Sequence, residues 1–148
     1  ILSNALAIAD YLELSSSDRA PTLLPFHYSY GMSVVTSHMV TGGSLMITDR
    51  SIIEPEFWQA FDKNRCTSLA GVPHTFSLLE KSGIATGQHP SLRYITQAGG
   101  KLDPVTIKML AAYVYSLGGG EKAPAPAAVG SSSLSTVAAA VAAAGRRR

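Results

Sequence analysis

Three apolar runs in this chain each break into a cluster of glycine, proline, histidine or tyrosine, and a segment of helical pattern follows each one. They end in Leu24-Pro25-Phe26-His27-Tyr28-Ser29-Tyr30-Gly31, in Ala70-Gly71-Val72-Pro73-His74-Thr75-Phe76, and in Ile95-Thr96-Gln97-Ala98-Gly99-Gly100-Lys101-Leu102. A buried strand running into a functional loop has this pattern. If the strands are parallel, all three loops emerge on one edge of one sheet. Ligands of open α/β sheets bind outside the carboxyl ends of the strands. The pattern therefore points to a small-molecule pocket.

The punctuation between the runs sets the order of elements. Residues 3–13 read as a helix capped by Ser3 or Asn4, with Ala5, Leu6, Ile8, Ala9 and Leu12 as its apolar stripe. Residues 22–26 read as a strand with Pro25 near its end, where a missing N–H is tolerated. A helix over 31–40 closes at Gly42-Gly43, and 44–48 is a second strand. Pro55 suits a first helical position, with Glu54 and Glu56 at the positive end of the dipole; this helix runs to 64 and buries Phe57, Trp58 and Phe61. A strand over 67–72, a helix over 73–81 stopped by Gly83, and a strand over 92–96 follow. Asp103-Pro104 then opens a helix through about 115. Strand and helix alternate, which predicts an α/β fold of βαβ units with a mostly parallel sheet and right-handed crossovers.

Composition changes after Leu117. Gly118-Gly119-Gly120 leads into Ala-Pro repeats, a serine cluster, Ala-Val repeats and Arg146-Arg147-Arg148. Such a tail buries too little apolar surface to offset its ordering entropy. Residues 1–117 are expected to form the folded part, and 118–148 a low-complexity tail, disordered or weakly helical, with the look of GC-rich DNA translated in a shifted frame. Ile1 opens directly into helical pattern, as in a piece of a longer protein or a chain with an unusual start codon.

Hydrophobic residues make up 46% of the chain and charged residues 15%, which favours a buried core over disorder. The net charge of +2 depends on the terminal arginines and gives no reason to expect nucleic acid. Cys66 is the single cysteine, so no intramolecular disulfide forms, in keeping with a reducing compartment. No signal peptide is apparent. The alanine-rich stretch 137–144 is far shorter than the ~20 residues that span a bilayer. These features suggest a cytoplasmic protein without a membrane span.

Each candidate site also has a plainer reading. His27, Tyr28 and Tyr30 offer flat apolar surface with polar tips, as a pocket wall would, or are incidental to a strand-to-helix turn. Gly71 lets a ligand approach the backbone beside Val72, or forms a tight turn in which Pro73 starts a helix. Gly99-Gly100 exposes backbone groups to a flat or anionic ligand, or makes an ordinary left-handed turn. His38 is expected to be packed or on the surface, His89 exposed, and Cys66 buried or inert. The chain has no Gly-x-Ser-x-Gly elbow, dinucleotide fingerprint, phosphate-loop Gly-Lys-Ser/Thr or metal-ligand cluster, and no complete catalytic set.

Together these stretches resemble the adenylate-forming superfamily of acyl-CoA synthetases, aryl-CoA ligases and related AMP-binding enzymes, over roughly 1–112. Leu24–Gly31 is similar to the family's Pro-x-x-His-x-x-Gly segment, and Gly42-Gly43-Ser44-Leu45-Met46-Ile47 to the strand after the following helix. Thr67-Ser68-Leu69-Ala70-Gly71-Val72-Pro73 is similar to Thr-x-x-x-Gly-Val-Pro. Leu92-Arg93 through Gly99-Gly100-Lys101-Leu102 is similar to Leu-Arg-x-x-x-x-Gly-Gly/Ala-x-Leu. The resemblance implies that Gly99, Gly100 and Lys101 lie along adenine. It also implies that His27, Tyr28, Tyr30, Gly31, Gly71, Val72 and Pro73 border a carboxylic acid substrate.

The implied reaction is attack of a carboxylate on the α-phosphate of Mg-ATP, giving an acyl-adenylate and pyrophosphate. A thiol of coenzyme A or a carrier protein then takes the acyl group. Positioning and charge neutralisation at phosphorus carry such a reaction. The family's phosphate loop with its lysine does not occur in this chain. Tyr113-Val114-Tyr115-Ser116-Leu117-Gly118 stands where a Tyr-Gly-x-Thr-Glu segment would follow. The ribose-binding aspartate, the hinge and the C-terminal domain's lysine are also missing. The expectation is therefore an adenylation-domain piece inactive by itself, holding neither ATP nor Mg2+ alone and prone to expose apolar faces. The alternative is a noncatalytic nucleotide- or acyl-binding module. A hydrolase or oxidoreductase is disfavoured by the missing motifs.

Overall fold

A computed structural model describes residues 1–82, 89–101, 104, 107 and 108. It contains helix α1 (Leu2–Tyr11), strand β1 (Arg19–Pro21), α2 (Ser29–Val40), β2 (Ser44–Met46), α3 (Pro55–Lys63), β3 (Ser68–Gly71), α4 (Pro73–Ser82) and β4 (Tyr94–Gln97). Pro104, Ile107 and Lys108 are helical, where a helix opened by Asp103-Pro104 is expected. The expected Asp103 cap, the stop at Gly83 and the tail lie outside the described residues.

Both strand pairs are parallel, as the alternation predicts. β1 pairs with β2 from Arg19↔Ser44 to Pro21↔Met46, and β3 with β4 from Ser68↔Tyr94 to Gly71↔Gln97. The strands form two two-stranded sheets, and the Thr67 N–H, donating to the Arg19 carbonyl at 2.8 Å, brings the β1–β2 pair beside the β3–β4 pair. Side chains of a strand alternate between faces. Leu69 and Ile95 enter a core with Phe57, Trp58, Phe61, Phe76 and Leu79 of α3 and α4. Their neighbours Ser68, Ala70, Tyr94 and Thr96 turn to the opposite face, toward α1 and α2. The β3–β4 pair is thus covered on both sides, as parallel sheets require.

The α3 aromatics anchor the first face. Phe57 and Trp58 pack edge to face at 5.2 Å, and Trp58 Nε1 donates to the Ile52 carbonyl at 2.8 Å. Pro55 takes the first helical turn of α3, as expected. Burial of such a side chain contributes about 1.5–3 kcal/mol.

Helices α1, α2 and α3 end in the same way. Gly43 N–H reaches the His38 carbonyl and Gly42 N–H the Met39 carbonyl; Leu14 reaches Ala9 and Glu13 reaches Asp10; Cys66 reaches Phe61 and Arg65 reaches Asp62. Paired bonds of this kind close a helix through one left-handed residue. That residue is Gly42 in α2, but Glu13 (φ 50°) and Arg65 (φ 53°) in the others.

Several expectations need correction. The first strand is Arg19–Pro21, not 22–26. Thr22 N–H still bonds the Met46 carbonyl, but Pro25 lacks an N–H, and Tyr28 N–H turns back to the Pro25 carbonyl. The chain has therefore left the sheet before the apolar run ends. Neither Ser3 nor Asn4 caps α1: its N-cap is Ile1, with no side-chain cap bond. Only Ala5 and Ala9 of the expected stripe are buried, and Leu6 is exposed. His89 is buried rather than exposed, because it stacks on Trp58 at 4.3 Å and bonds Asp62 through Nδ1 at 2.8 Å.

Asp18 knots the sheet from one side. It is fully buried, and its carboxylate accepts from Arg93 at 2.8 and 2.9 Å, from the Thr67 hydroxyl at 2.8 Å and from the Ser15 N–H at 2.9 Å. One carboxylate therefore holds the α1–β1 loop to the starts of β3 and β4.

Candidate functional site

The loops after β1, β3 and β4 meet at one rim. Tyr28 is the N-cap of α2, in extended backbone. A Cβ placed on Gly99 would stand 3.3 Å from the Tyr28 hydroxyl and 3.4 Å from Val72 Cγ1. One placed on Gly100 would stand 3.2 Å from Pro73 Cγ. Tyr28, Val72, Pro73, Gly99 and Gly100 are thus neighbours, though far apart in sequence. Gly99 has φ +91°, a conformation that costs a side-chain-bearing residue about 1–2 kcal/mol. The Gln97 side-chain amide donates to the Gly100 carbonyl at 2.9 Å and holds this turn against the end of β4.

Tyr30 forms the inner wall. Its hydroxyl donates to Thr96 Oγ1 at 2.8 Å across 66 residues and also meets the Gly71 backbone. Burial pushes the Tyr30 phenol up to about 12, against the opposing pull of the Thr96 and Gly71 bonds, so it stays protonated at neutral pH. Gly31 is buried where α2 passes over the preceding loop. A Cβ there would collide with the Pro25 carbonyl oxygen and stand 3.0 Å from that of Leu24. Only glycine lets the helix start so close to that backbone.

His27 and Lys101 are exposed on the same loops, and neither joins the hydrogen bonds that tie the other candidates. The rim thus gathers eight of the ten candidates into contacts with one another or with the loops that carry them. His27 and Lys101 stand at its solvent side.

Behind Tyr30 lies a cavity of about 100 Å³ between α1, α2 and the β3–β4 strands. Sequence reasoning missed three of its walls. Thr96 fixes Tyr30. Tyr94 and His38 are both buried and line the cavity. His38 was expected to be packed or on the surface, and it is packed. No local pattern singles out Tyr94 or Thr96; alternation along β4 is the signal that could have placed both on one face. Burial pushes the Tyr94 phenol up to about 12 and pulls the His38 imidazole below its usual range. Cys66 is buried as expected, and burial raises its thiol to about 11, which suits an inert residue.

The glycine turn packs directly against the Tyr28 hydroxyl and Val72 Cγ1. Among the described residues, no group of three or more His, Cys, Asp or Glu could hold a metal ion. No helix among them is long and apolar enough to cross a membrane.

Two parallel strand pairs flanked by helices, with their loops gathered at the strands' carboxyl edge, make this an α/β segment. The AMP-binding enzyme family model matches residues 1–120, and the chain belongs to that family. Its fold is that of solved acyl-CoA synthetases and related enzymes. The fatty acyl CoA synthetase of Mycobacterium tuberculosis matches with a TM-score of 0.66 at 20% identity, over 75% of this chain and 22% of that one. ATP-bound MatB from Rhodopseudomonas palustris matches with a TM-score of 0.64 at 24% identity, over 74% and 22%. The o-succinylbenzoate CoA synthetase MenE of Bacillus subtilis, bound to a product analogue, matches with a TM-score of 0.64 at 20% identity, over 75% and 22%. The chain spans about a quarter of the length of such structures. No curated protein gives a significant match.

Proposed function

We propose that this chain is the central part of the N-terminal domain of a cytoplasmic acyl-adenylate-forming ligase. In the whole enzyme, ATP with Mg2+ activates a carboxylic acid, and a thiol of coenzyme A or a carrier protein takes the acyl group. The chain supplies the floor of that site. Gly99, Gly100 and Lys101 lie along adenine, with backbone rather than side chain facing the ring. His27, Tyr28, Tyr30, Gly31, Gly71, Val72 and Pro73 border the acid.

The observation that carries this reading is the meeting of Tyr28, Val72 and Gly99 within van der Waals reach. Tyr30, held by Thr96, separates that rim from the cavity behind it. An acid bound at the rim would place its carboxylate beside the glycine turn and its tail against Tyr28, Val72 and Pro73. ATP would supply the phosphorus electrophile, and this chain's part is to orient the two reactants and keep water from the tail. The described residues offer no metal site, so Mg2+ is assigned to other parts of the ligase. Ile1, Leu2, Met39 and Ile47 are each more than 60% exposed, which supports a part that is covered in a larger protein.

Two assays on the 148-residue chain test this. ATP–pyrophosphate exchange is expected to show no turnover, because the phosphate-binding groups are absent from the chain; turnover overturns the proposal. Calorimetry with AMP is expected to show no binding to the incomplete site. Saturable AMP binding without exchange selects the other reading, a noncatalytic nucleotide-binding module.

A further inference from the structure

His38 stands in the last turn of α2 and is 2% exposed. Its backbone closes the helix: the His38 carbonyl accepts from the Gly43 N–H at 2.8 Å, from the Thr41 N–H at 3.2 Å and from the Thr41 hydroxyl at 2.9 Å. Its ring lines the cavity under α2, together with Tyr11 of α1, Ser68 of β3 and Tyr94 of β4. A shift of the ring therefore pulls on the bonds that end the helix.

The ring has one place left for a proton. Nδ1 lies 2.8 Å from the Val34 carbonyl, which only accepts, so Nδ1 carries the hydrogen. Nε2 is then a bare acceptor, and it is buried without a protein partner. A proton arriving there makes a charged N–H with no acceptor to receive it. A buried charge without a partner is so costly that the group either stays neutral or reaches water.

The surroundings do not offset that cost. No Asp or Glu lines the cavity. Tyr11 and Tyr94 face it from α1 and β4, and Tyr30 from the same helix; phenols are uncharged between about pH 5 and 8. Asp10 and Glu13 are exposed to solvent, and Arg19 of β1 binds Ser44 and Asn64. Asp18, in the α1–β1 loop, attracts a proton to His38, but its oxygens are taken by Arg93, Thr67 and Ser15. Arg93, paired with Asp18, is a cation and accepts no hydrogen. Burial outweighs the pull of Asp18 and holds the imidazole below its usual range.

We infer that the end of α2 is an acid-operated latch: a proton on His38 Nε2 lifts the last turn of α2 off the sheet until the ring meets water. The start of the helix stays in place, held by the Tyr30–Thr96 bond and the close fit of Gly31 over Pro25. The cavity, of about 100 Å³, gives the ring room to move. The closed state binds this proton more weakly than the open one. Its advantage is therefore complete above about pH 6.5, the ordinary imidazole value, and shrinks as pH falls from there to the lowered value of the closed state. One proton links the two states, so the opening constant rises by up to about tenfold per pH unit in that window. The latch does not depend on the ligase reading.

The test uses the 148-residue chain with labelled histidine. Ring nitrogen signals report the protonation of His38 between about pH 8 and 5. Amide hydrogen exchange, corrected for its intrinsic pH dependence, reports opening at Thr41, Gly42 and Gly43, whose N–H groups bond the end of α2. At about pH 6.5, where a free imidazole is half protonated, the His38 ring is expected to remain neutral with its hydrogen on Nδ1. Below that, protection at the three amides is expected to fall about three- to tenfold per pH unit, while Leu69 and Ile95 in the β3–β4 pair hold theirs. His38→Gln can still donate to Val34 but has no proton to gain, and the pH dependence is expected to vanish in it. In His89→Gln it is expected to persist. Far-ultraviolet circular dichroism checks the fold of each variant, and the ring signals of the unaltered chain decide the matter should a variant fail to fold.

A His38 ring half charged at about pH 6.5 with unchanged protection overturns the inference, as does protection that stays flat to about pH 5. So does a pH dependence that survives His38→Gln or disappears in His89→Gln. Equal loss of protection at Leu69, Ile95 and Gly43 means that the whole fold yields to acid, and it overturns the latch as well.

Discussion

Replacing Asp18 with asparagine probes the knot that holds the rim's strands in register. The carboxylate is fully buried and accepts two contacts from Arg93, one from Thr67 and bonds from the Ser15 backbone and hydroxyl. An amide keeps one acceptor oxygen and turns an NH2 toward groups that also donate. Two or more charge-assisted bonds are lost, each about 1.5–3 kcal/mol. The Arg93 side chain is 41% exposed and can rehydrate, which lowers the loss. The expected cost is about 3 kcal/mol, or roughly 12–24 °C in melting temperature for a unit of this size.

Arg93→Met is expected to cost at least as much, because it leaves a buried carboxylate without its counter-ion, a loss of about 3–5 kcal/mol. The double variant Asp18→Asn/Arg93→Met is expected to be more stable than the sum of the single losses implies, since neither charge is stranded. Urea unfolding followed by tryptophan fluorescence measures all three variants. A loss below about 1 kcal/mol for Asp18→Asn, or additive single losses, refutes the reasoning.

The remaining predictions concern single positions. Gly31→Ala forces a Cβ into the Pro25 carbonyl and is expected to cost about 2–3 kcal/mol in urea unfolding. Arg65→Gly and Glu13→Gly relieve left-handed backbone and are each expected to gain up to about 1 kcal/mol, read as a higher melting temperature. Tyr30→Phe leaves the Thr96 hydroxyl unmatched and is expected to cost about 1 kcal/mol while loosening the Tyr30–Gly71 contact, visible in hydrogen exchange of β3. Cys66, with its thiol raised to about 11, is expected to resist a thiol reagent at pH 8 until the chain unfolds. Through the same group, stability is flat below the ordinary thiol range. It falls as pH rises from about 9 to about 11, because the unfolded thiol ionises first while the native thiol keeps its proton.

What could be read from the residues depended on whether the cue was local. Pro55 and Gly42 announce where a helix starts and stops, and α3 and α2 do so there. Glu13 and Arg65 perform the same closing turn as Gly42 without a sequence cue, because the paired end bonds outweigh the side chain's backbone preference. The first strand was displaced because apolar character at Leu23 and Leu24 reports burial, and Leu23 is indeed packed against the core, but as loop. His89 misled in the other direction: a polar residue beside Pro90 reads as surface, yet Trp58 and Asp62 draw it inside from some 30 residues away.

The rim was legible because glycine and proline mark close backbone approach. The cavity behind it was not. His38 and Tyr94 gain their meaning only from a helix register and a strand alternation that a fold brings together, and from what they fail to bond.

The central claim is that loops some 70 residues apart form one rim. The most direct measurement is a nuclear Overhauser spectrum of the labelled 148-residue chain, read at the Tyr28 ring. The account predicts cross-peaks from that ring to the Gly99 α-protons and the Val72 methyl groups, with the Tyr30 ring close to the Thr96 β-proton. Cross-peaks from Tyr28 confined to its own loop, with none to Gly99 or Val72, would contradict it.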